Sequence, residues 1–204
     1  MMFFVTGANG SGKSASLRGL KTAVPDVIWY DFDDVGVPLN ASTFWRQEST
    51  EYWISKGLEH QSEGSDVGIC GHAILGEILG APSAPKLEGI AVCFLDCDDV
   101  TRIDRLRSRG THGATQDTLN WAAWQRFHAV DPQWRQDVIR DDSWPQVCWD
   151  RWEKWRKGDP RWRVTVINTT ELTIEAVVSA IADWVAQERC LYNSSKSPLG
   201  SHWW

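Results

Sequence analysis

The sequence predicts an α/β protein: an open, parallel, five-stranded sheet with helices on both faces, in three layers. Three observations carry this. Short apolar runs alternate with stretches of helical periodicity along most of the chain, the pattern of strand–helix–strand units whose parallel strands are buried on both sides. The first run, Met2–Thr6, leads directly into a loop holding three glycines, Gly7, Gly10 and Gly12. The last run, in "WRVTVINTT", is followed by "LTIEAVVSAIADWVAQ", whose apolar residues recur at helical spacing and suit a closing helix.

Each element follows from its residues. A helix is predicted from Lys13 to about Thr22, and Pro25-Asp26 turns the chain into "VIWYDFDD", a second strand ending in acids. "STFWRQESTEYWISKGLEH" has helical spacing and stops at the turn around Ser62–Asp66. "DVGICG" is a third strand, "HAILGEILG" a short helix, and Ala81–Glu88 a Pro-rich loop. "GIAVCFLDC" forms the fourth strand and "DVTRIDRLRSRG" the helix after it. One domain over 1–186 is the expectation, with a helical insertion at about 107–161. The Ser-, Pro-, Gly- and Asn-containing stretch 187–204 reads as a flexible tail.

Composition narrows the function classes. With 204 residues, 42% of them hydrophobic, the chain buries a sizeable core. A net charge of −6 argues against broad binding to nucleic acid or an anionic membrane. The five cysteines make no C-x-x-C pair, which suits reduced thiols and a cytoplasmic setting. The five histidines form no zinc-ligand pattern, and no apolar stretch approaches the ~20 residues that span a bilayer.

The chemistry enters at Gly7-Ala8-Asn9-Gly10-Ser11-Gly12-Lys13-Ser14, which fits G-x-x-x-x-G-K-[ST] at every fixed position. Glycine lets backbone N–H groups turn toward an anion without a Cβ in the way, and the helix N-terminus adds further donors. Lys13 then reaches the β- and γ-phosphates of a nucleoside triphosphate and the Ser14 hydroxyl takes Mg²⁺. Ser16, on the first turn of the same helix, joins the nucleotide-binding set. No N-K-x-D guanine-reading pattern is present, so ATP is the expected nucleotide.

With this loop in place, "WYDFDDVGVP", "CFLDCDDVTRIDRLRSRG" and "VTVINTTELTIEAVVSAIADWV" resemble the P-loop small-molecule kinases, the group of nucleoside monophosphate, shikimate, gluconate and adenylylsulfate kinases. The resemblance implies the P-loop NTPase fold and phosphoryl transfer from Mg·ATP to a small acceptor, a nucleoside or nucleotide being the first class by analogy. It implies that the D-x-D pattern Asp31-Phe32-Asp33 orients the acceptor, with Asp33 taking the proton of its hydroxyl or holding Mg²⁺ through water. It implies that Arg105 and Arg109, four apart on one helix, flank the nucleotide and neutralise the transferring group at the edge of a lid. Thr169 falls in the family's nucleotide-base loop. Acids at a strand end also serve as turn formers or caps, and the arginine pair also reads as a solvated face.

Around the expected acceptor edge, Arg46 reads either as a substrate contact with Glu48 or Glu51 or as half of a surface ion pair. Gly71 permits a ligand to approach closely, while His72 reads as a helix-start or packing histidine. Arg126 is a further candidate lid arginine. The third strand, if it neighbours the loop, has no acid at its end in "VGICGH", a departure from GTPases and motor ATPases, and Asp96 belongs to the fourth strand on the other side. Eight of the 14 tryptophans fall between Trp121 and Trp162. They read as a helical subdomain built on large rings, or as a lid packing on a flat acceptor. The competing function is an ATP-hydrolysing switch that binds a protein partner through this region; a kinase of nucleic-acid ends or of a sugar-nucleotide comes third. The oligomeric state is not encoded in any motif.

Overall fold

The computed structural model describes residues 1–110 and 113–204. Residues 111–112, at the start of the expected lid region, lie outside the described residues. Five parallel strands, β1 (Met2–Thr6), β2 (Val27–Asp31), β3 (Asp66–Cys70), β4 (Ile90–Asp96) and β5 (Thr165–Asn168), form one sheet in the order β2-β3-β1-β4-β5. The central strand β1 is buried at every position. Its side chains alternate between faces, so Met2 and Phe4 enter one core and Phe3 and Val5 the other.

The second of these cores lies under α1 (Lys13–Ala23) and α7 (Ile174–Asn193), where Leu20, Ile181, Trp184 and Val185 pack. The first lies under α2 (Thr43–Ser62) and α3 (Leu75–Gly80), with Trp53, Ile54, Ile78 and Leu79. The five expected strands are all present, and the sheet carries helices on both faces. Among the described residues no helix is long and apolar enough to cross a membrane. All five cysteines are unpaired.

Beyond α4 (Asp99–Arg109), the tryptophan-rich stretch forms α5 (Gln116–His128), the single turn α6 (Asp137–Arg140) and a largely irregular segment. It lies on the sheet rather than apart from it. Trp124, Ile139, Trp152, Trp155 and Trp162 belong to the same core as Phe4 and Ile69. Two of the buried indoles keep their N–H groups paired: Trp152 donates to Gly76 O at 2.8 Å and Trp162 to His128 O at 2.9 Å. A Cβ at Gly76 would stand 2.7 Å from the Trp152 ring, so a side chain there would displace the indole. The rings of Trp124, Trp152, Trp155 and Trp162 pack into the protein's own core, and apart from α5, α6 and one 3₁₀ turn the stretch is irregular rather than helical.

The flexible tail expected over 187–204 is corrected. Helix α7 continues to Asn193, and the Ile90 N–H donates to Leu199 O at 3.0 Å. Leu199 and Trp203 are both buried, with Trp203 edge-on to Trp155 at 6.1 Å. Burying a leucine and a tryptophan offsets the entropy of ordering a short Ser/Pro/Gly segment, which composition alone does not weigh.

At the centre of the aromatic cluster His128 stacks on Trp124, centroids 4.5 Å apart, and meets Trp162 edge-on at 5.1 Å. Burial lowers its pKa to about 4, against the opposing pulls of Trp134 O and Asp131. The folded chain therefore refuses a proton that the unfolded chain accepts below about 6.5. Stability is unaffected above pH 6.5 and is lost as pH falls toward 4, by about 3 kcal/mol at most. Urea titrations at pH 7 and pH 4 are expected to show this loss in the wild type and a smaller one in His128→Gln.

Candidate active site

The site is built where β1 ends. Gly7 has φ 149°, and a Cβ there would stand 2.3 Å from Leu95 O, so the loop leaves the sheet by a path closed to larger residues. Gly12, at φ 104°, caps α1 in the left-handed region, and Lys13 and Ser14 follow as its first residues. Lys13 is buried and its Nζ donates to the carbonyls of Gly7 and Ala8. Burial, and then the charge of Arg102, lower its pKa to about 8 while Asp33 pulls the other way. A bound phosphate would replace those carbonyls as the partner of the ammonium and raise its pKa again.

Facing the loop, β2 ends at Asp31 and a 3₁₀ turn, Phe32–Val35, begins. The Asp31 carboxylate accepts from the Asp33 N–H at 3.0 Å and Asp34 accepts from the Asp31 N–H at 3.2 Å, a reciprocal cap. The strand does not continue to Asp33, so strand alternation is not what brings Asp31 and Asp33 together; the turn does. Phe32 between them is buried, and Gly71 at the end of β3 accommodates it, since a Cβ there would stand 2.0 Å from Phe32 Cβ.

Loop and turn line one cavity of ≈360 Å³ at the carboxyl ends of the strands, within the range of small-molecule sites and where a doubly wound sheet places its ligand. On the loop side stand Asn9, Gly10, Gly12, Lys13 and Ser14, with Arg109 from α4. Across from them stand Asp31, Asp33, Gly71 and three residues that the sequence patterns did not single out as contacts: Val37, Ala41 and Trp45. His72 also lines the cavity, with Nε2 3.1 Å from Asn9 Oδ1, a tie between β3 and the loop.

Other expected site residues stand behind this wall. Ser11 and Ser16 are buried, and Ser16 donates to Lys13 O at 2.8 Å. Thr169 is fully buried, with Oγ1 2.9 Å from Ser11 O. Arg105 donates to Thr169 O at 2.6 Å and to Gly10 O at 3.3 Å, so its fork ties the loop to the segment after β5. Arg46 lies against Glu77, not Glu48 or Glu51: Nε and Nη2 donate to the two Glu77 oxygens at 2.8 and 2.7 Å. Glu51 instead accepts from the Ser83 N–H. Arg126 is a strut, binding Asp96 at 2.7 Å and Asp99 at 2.6 Å.

Arg102 was not singled out in the sequence, although its spacing to Arg105 and Arg109 puts all three on one helical stripe. Its fully buried guanidinium donates to Asn9 O at 2.6 Å and to Asp96 at 2.7 Å. Asp96 is thus shared between Arg102 and Arg126 and stays on the β4 side of the loop. Among the described residues no group of three or more His, Cys, Asp or Glu side chains forms a metal site. Ser14, Asp31 and Asp33 instead offer hard oxygen donors along the cavity. That suits Mg²⁺, which is held by one or two protein oxygens together with substrate phosphates.

No family model and no curated protein matches the sequence. Solved structures do match in shape. A sugar kinase from Janibacter sp. HTCC2649 aligns over 91% of this chain and 94% of its own, with a TM-score of 0.54 and 13% identity. Shikimate kinase from Acinetobacter baumannii, in complex with shikimate, aligns over 91% and 93%, at 0.50 and 13%. Thymidylate kinase from Candida albicans aligns over 92% of each chain, at 0.50 and 11%. The five-stranded parallel sheet, its order and these likenesses give the chain the fold of the P-loop small-molecule kinases.

Proposed function

We propose that this protein is an ATP- and Mg²⁺-dependent kinase that transfers the γ-phosphate to a hydroxyl or phosphate of a small metabolite. One observation carries the reading: Lys13 and Ser14 of a complete phosphate-binding loop and Asp33 of the opposing turn line a single cavity. In this reading the loop N–H groups and Lys13 hold the triphosphate, and Ser14 and Asp33 share the metal, the latter through water. Asp33 takes the proton of the acceptor hydroxyl as its oxygen attacks the γ-phosphorus and the bond to the bridging oxygen breaks, releasing ADP. Arg109 neutralises charge on the transferring group, while Arg105 and Thr169 act by holding the loop. The three aligned kinases are named for a sugar, shikimate and thymidylate, so the fold is compatible with very different acceptors. Nucleosides and nucleotides are the first classes to try.

The alternative, a nucleotide switch gripping a partner through the tryptophans, loses its motive. Trp124, Trp144, Trp152, Trp155 and Trp162 are buried in the protein's own core, whereas Trp134 is exposed. ADP release from Mg·ATP, measured with and without pooled nucleosides, nucleotides, sugars and amino alcohols, separates the two. At least one pool is expected to raise turnover in the wild type and to do so ~100-fold less in Asp33→Asn. Hydrolysis that no pool stimulates and that Asp33→Asn leaves unchanged would overturn the kinase reading.

A further inference from the structure

On the face of the sheet that carries the tryptophans, a second and much smaller cavity of ≈20 Å³ lies between strand ends and α5. Val92, Phe94, Trp124 and Trp162 give it an apolar wall, and among the described residues no charged side chain lines it. Three polar residues are set into that wall: Thr6, 5% exposed, Gln125, 4%, and His128, 2%. Thr6 continues the face of β1 that Met2 and Phe4 present to this core. Four buried atoms of the three, Thr6 Oγ1, Gln125 Nε2 and Oε1, and His128 Nε2, have no hydrogen-bond partner among the described residues. Buried polar groups of this kind are costly to leave unpaired.

Their chemistry is complementary to one small molecule. His128 Nδ1 stands 3.3 Å from Trp134 O, and a carbonyl only accepts, so Nδ1 carries the ring proton. Burial keeps the ring neutral, with its pKa lowered to about 4. Nε2 therefore offers a lone pair and calls for a donor. The Gln125 amide calls for a donor at its oxygen and an acceptor at its nitrogen, and the Thr6 hydroxyl serves as either. A metal ion cannot accept from the amide N–H, and an anion without a proton cannot donate to Nε2. Water does both. A buried water needs ~10–15 Å³ and about two to four polar partners; here it finds ≈20 Å³ and three polar side chains.

We propose that this cavity is an internal hydration site in which one water bridges Thr6, Gln125 and His128. The water donates to His128 Nε2 and shares its remaining bonds with the Gln125 amide and the Thr6 hydroxyl. Gln125 and His128 stand three apart on α5 and so share a face. Thr6 is the last residue of β1, immediately before Gly7. The bridge therefore ties α5 to the strand that launches the phosphate loop. Arg126 ties the same helix to Asp96 and Asp99 at the end of β4 and the start of α4. The site is independent of the kinase reading.

The full chain is tested in two ways. A crystal structure of the wild type, at a resolution that shows ordered waters, is expected to place one density peak within about 3.2 Å of Thr6 Oγ1, of His128 Nε2 and of one Gln125 amide atom. Urea denaturation then compares the wild type with Thr6→Val, Gln125→Met and the double variant. Each single variant removes hydrogen-bonding atoms while nearly keeping shape, so each is expected to lower the urea midpoint. The double variant is expected to lose less than the sum of the two, because both give up the same water. Were the groups unpaired in solution, removing them would relieve a penalty and raise the midpoint. A raised midpoint, a cavity without density, or two losses that simply add would each overturn the proposal. If Thr6→Val, beside Gly7, fails to fold, the crystal structure and the direction of the Gln125→Met shift still decide.

Discussion

Lys13→Met is expected to lower acceptor-dependent ADP release about a thousandfold, with the fold intact. Removing a single preorganised donor from developing charge costs on the order of 10²–10³ in rate, and a full cation aimed at the transferring phosphoryl group sits at the upper end. Methionine keeps the buried stem of the side chain, so circular dichroism and the urea midpoint should move little. The same residue sets a pH dependence. Without nucleotide Lys13 titrates at about 8 because it is buried beside Arg102; a triphosphate restores its charge and raises that value. Above pH 8 the free protein has lost a proton that the complex retains, so binding takes up a proton and affinity falls by up to about tenfold per pH unit. Below pH 8 both forms carry the proton and affinity is flat with respect to this group. Calorimetric titration with Mg·ATP from pH 6.5 to 9.5 should trace this curve in the wild type and lose it in Lys13→Met. A wild-type affinity independent of pH up to 9.5 would mean that Lys13 does not contact the phosphates.

Glu77→Ala is expected to cost about 3–5 kcal/mol of stability, the range for breaking a buried ion pair from one side. The Glu77 side chain is fully buried and accepts from Arg46 at 2.8 and 2.7 Å and from Gln47 Nε2 at 3.0 Å. Gln47 in turn donates to Ile139 O at 2.7 Å and accepts from the Trp144 N–H at 2.7 Å. This one carboxylate therefore joins α2 and α3 to the tryptophan-rich segment. Its loss strands Arg46 as a mostly buried charge and loosens the amide beside it. The double variant Arg46→Met/Glu77→Met removes both charges while keeping volume and is expected to recover most of the loss. Urea denaturation of the three proteins decides it. A single variant destabilised by less than 1 kcal/mol would show that the network adds nothing to the packing around it.

What the sequence determined by itself is local. A phosphate-binding loop is a property of consecutive residues: Gly7 and Gly12 adopt backbone angles other residues resist, and Lys13 and Ser14 follow because a helix must start there. The five strands were legible for a similar reason, since a run such as "FFV" or "AVCFL" has no stable place except inside a sheet covered on both faces. Tertiary structure decided whatever depended on choosing between remote partners. Arg46 had acids two and five residues away and took Glu77 instead, 31 positions on, because only that carboxylate is buried beside it. Arg105 and Thr169 are 64 positions apart and meet behind the loop, where they brace it rather than face the cavity. Trp203 closes on Trp155 from the end of a segment whose composition reads as a linker. Trp45 and Arg46 are neighbours in the chain, yet one lines the cavity and the other is sealed against Glu77. Which of the two faces the acceptor depends on how α2 rolls against the sheet, and only the packed core sets that angle.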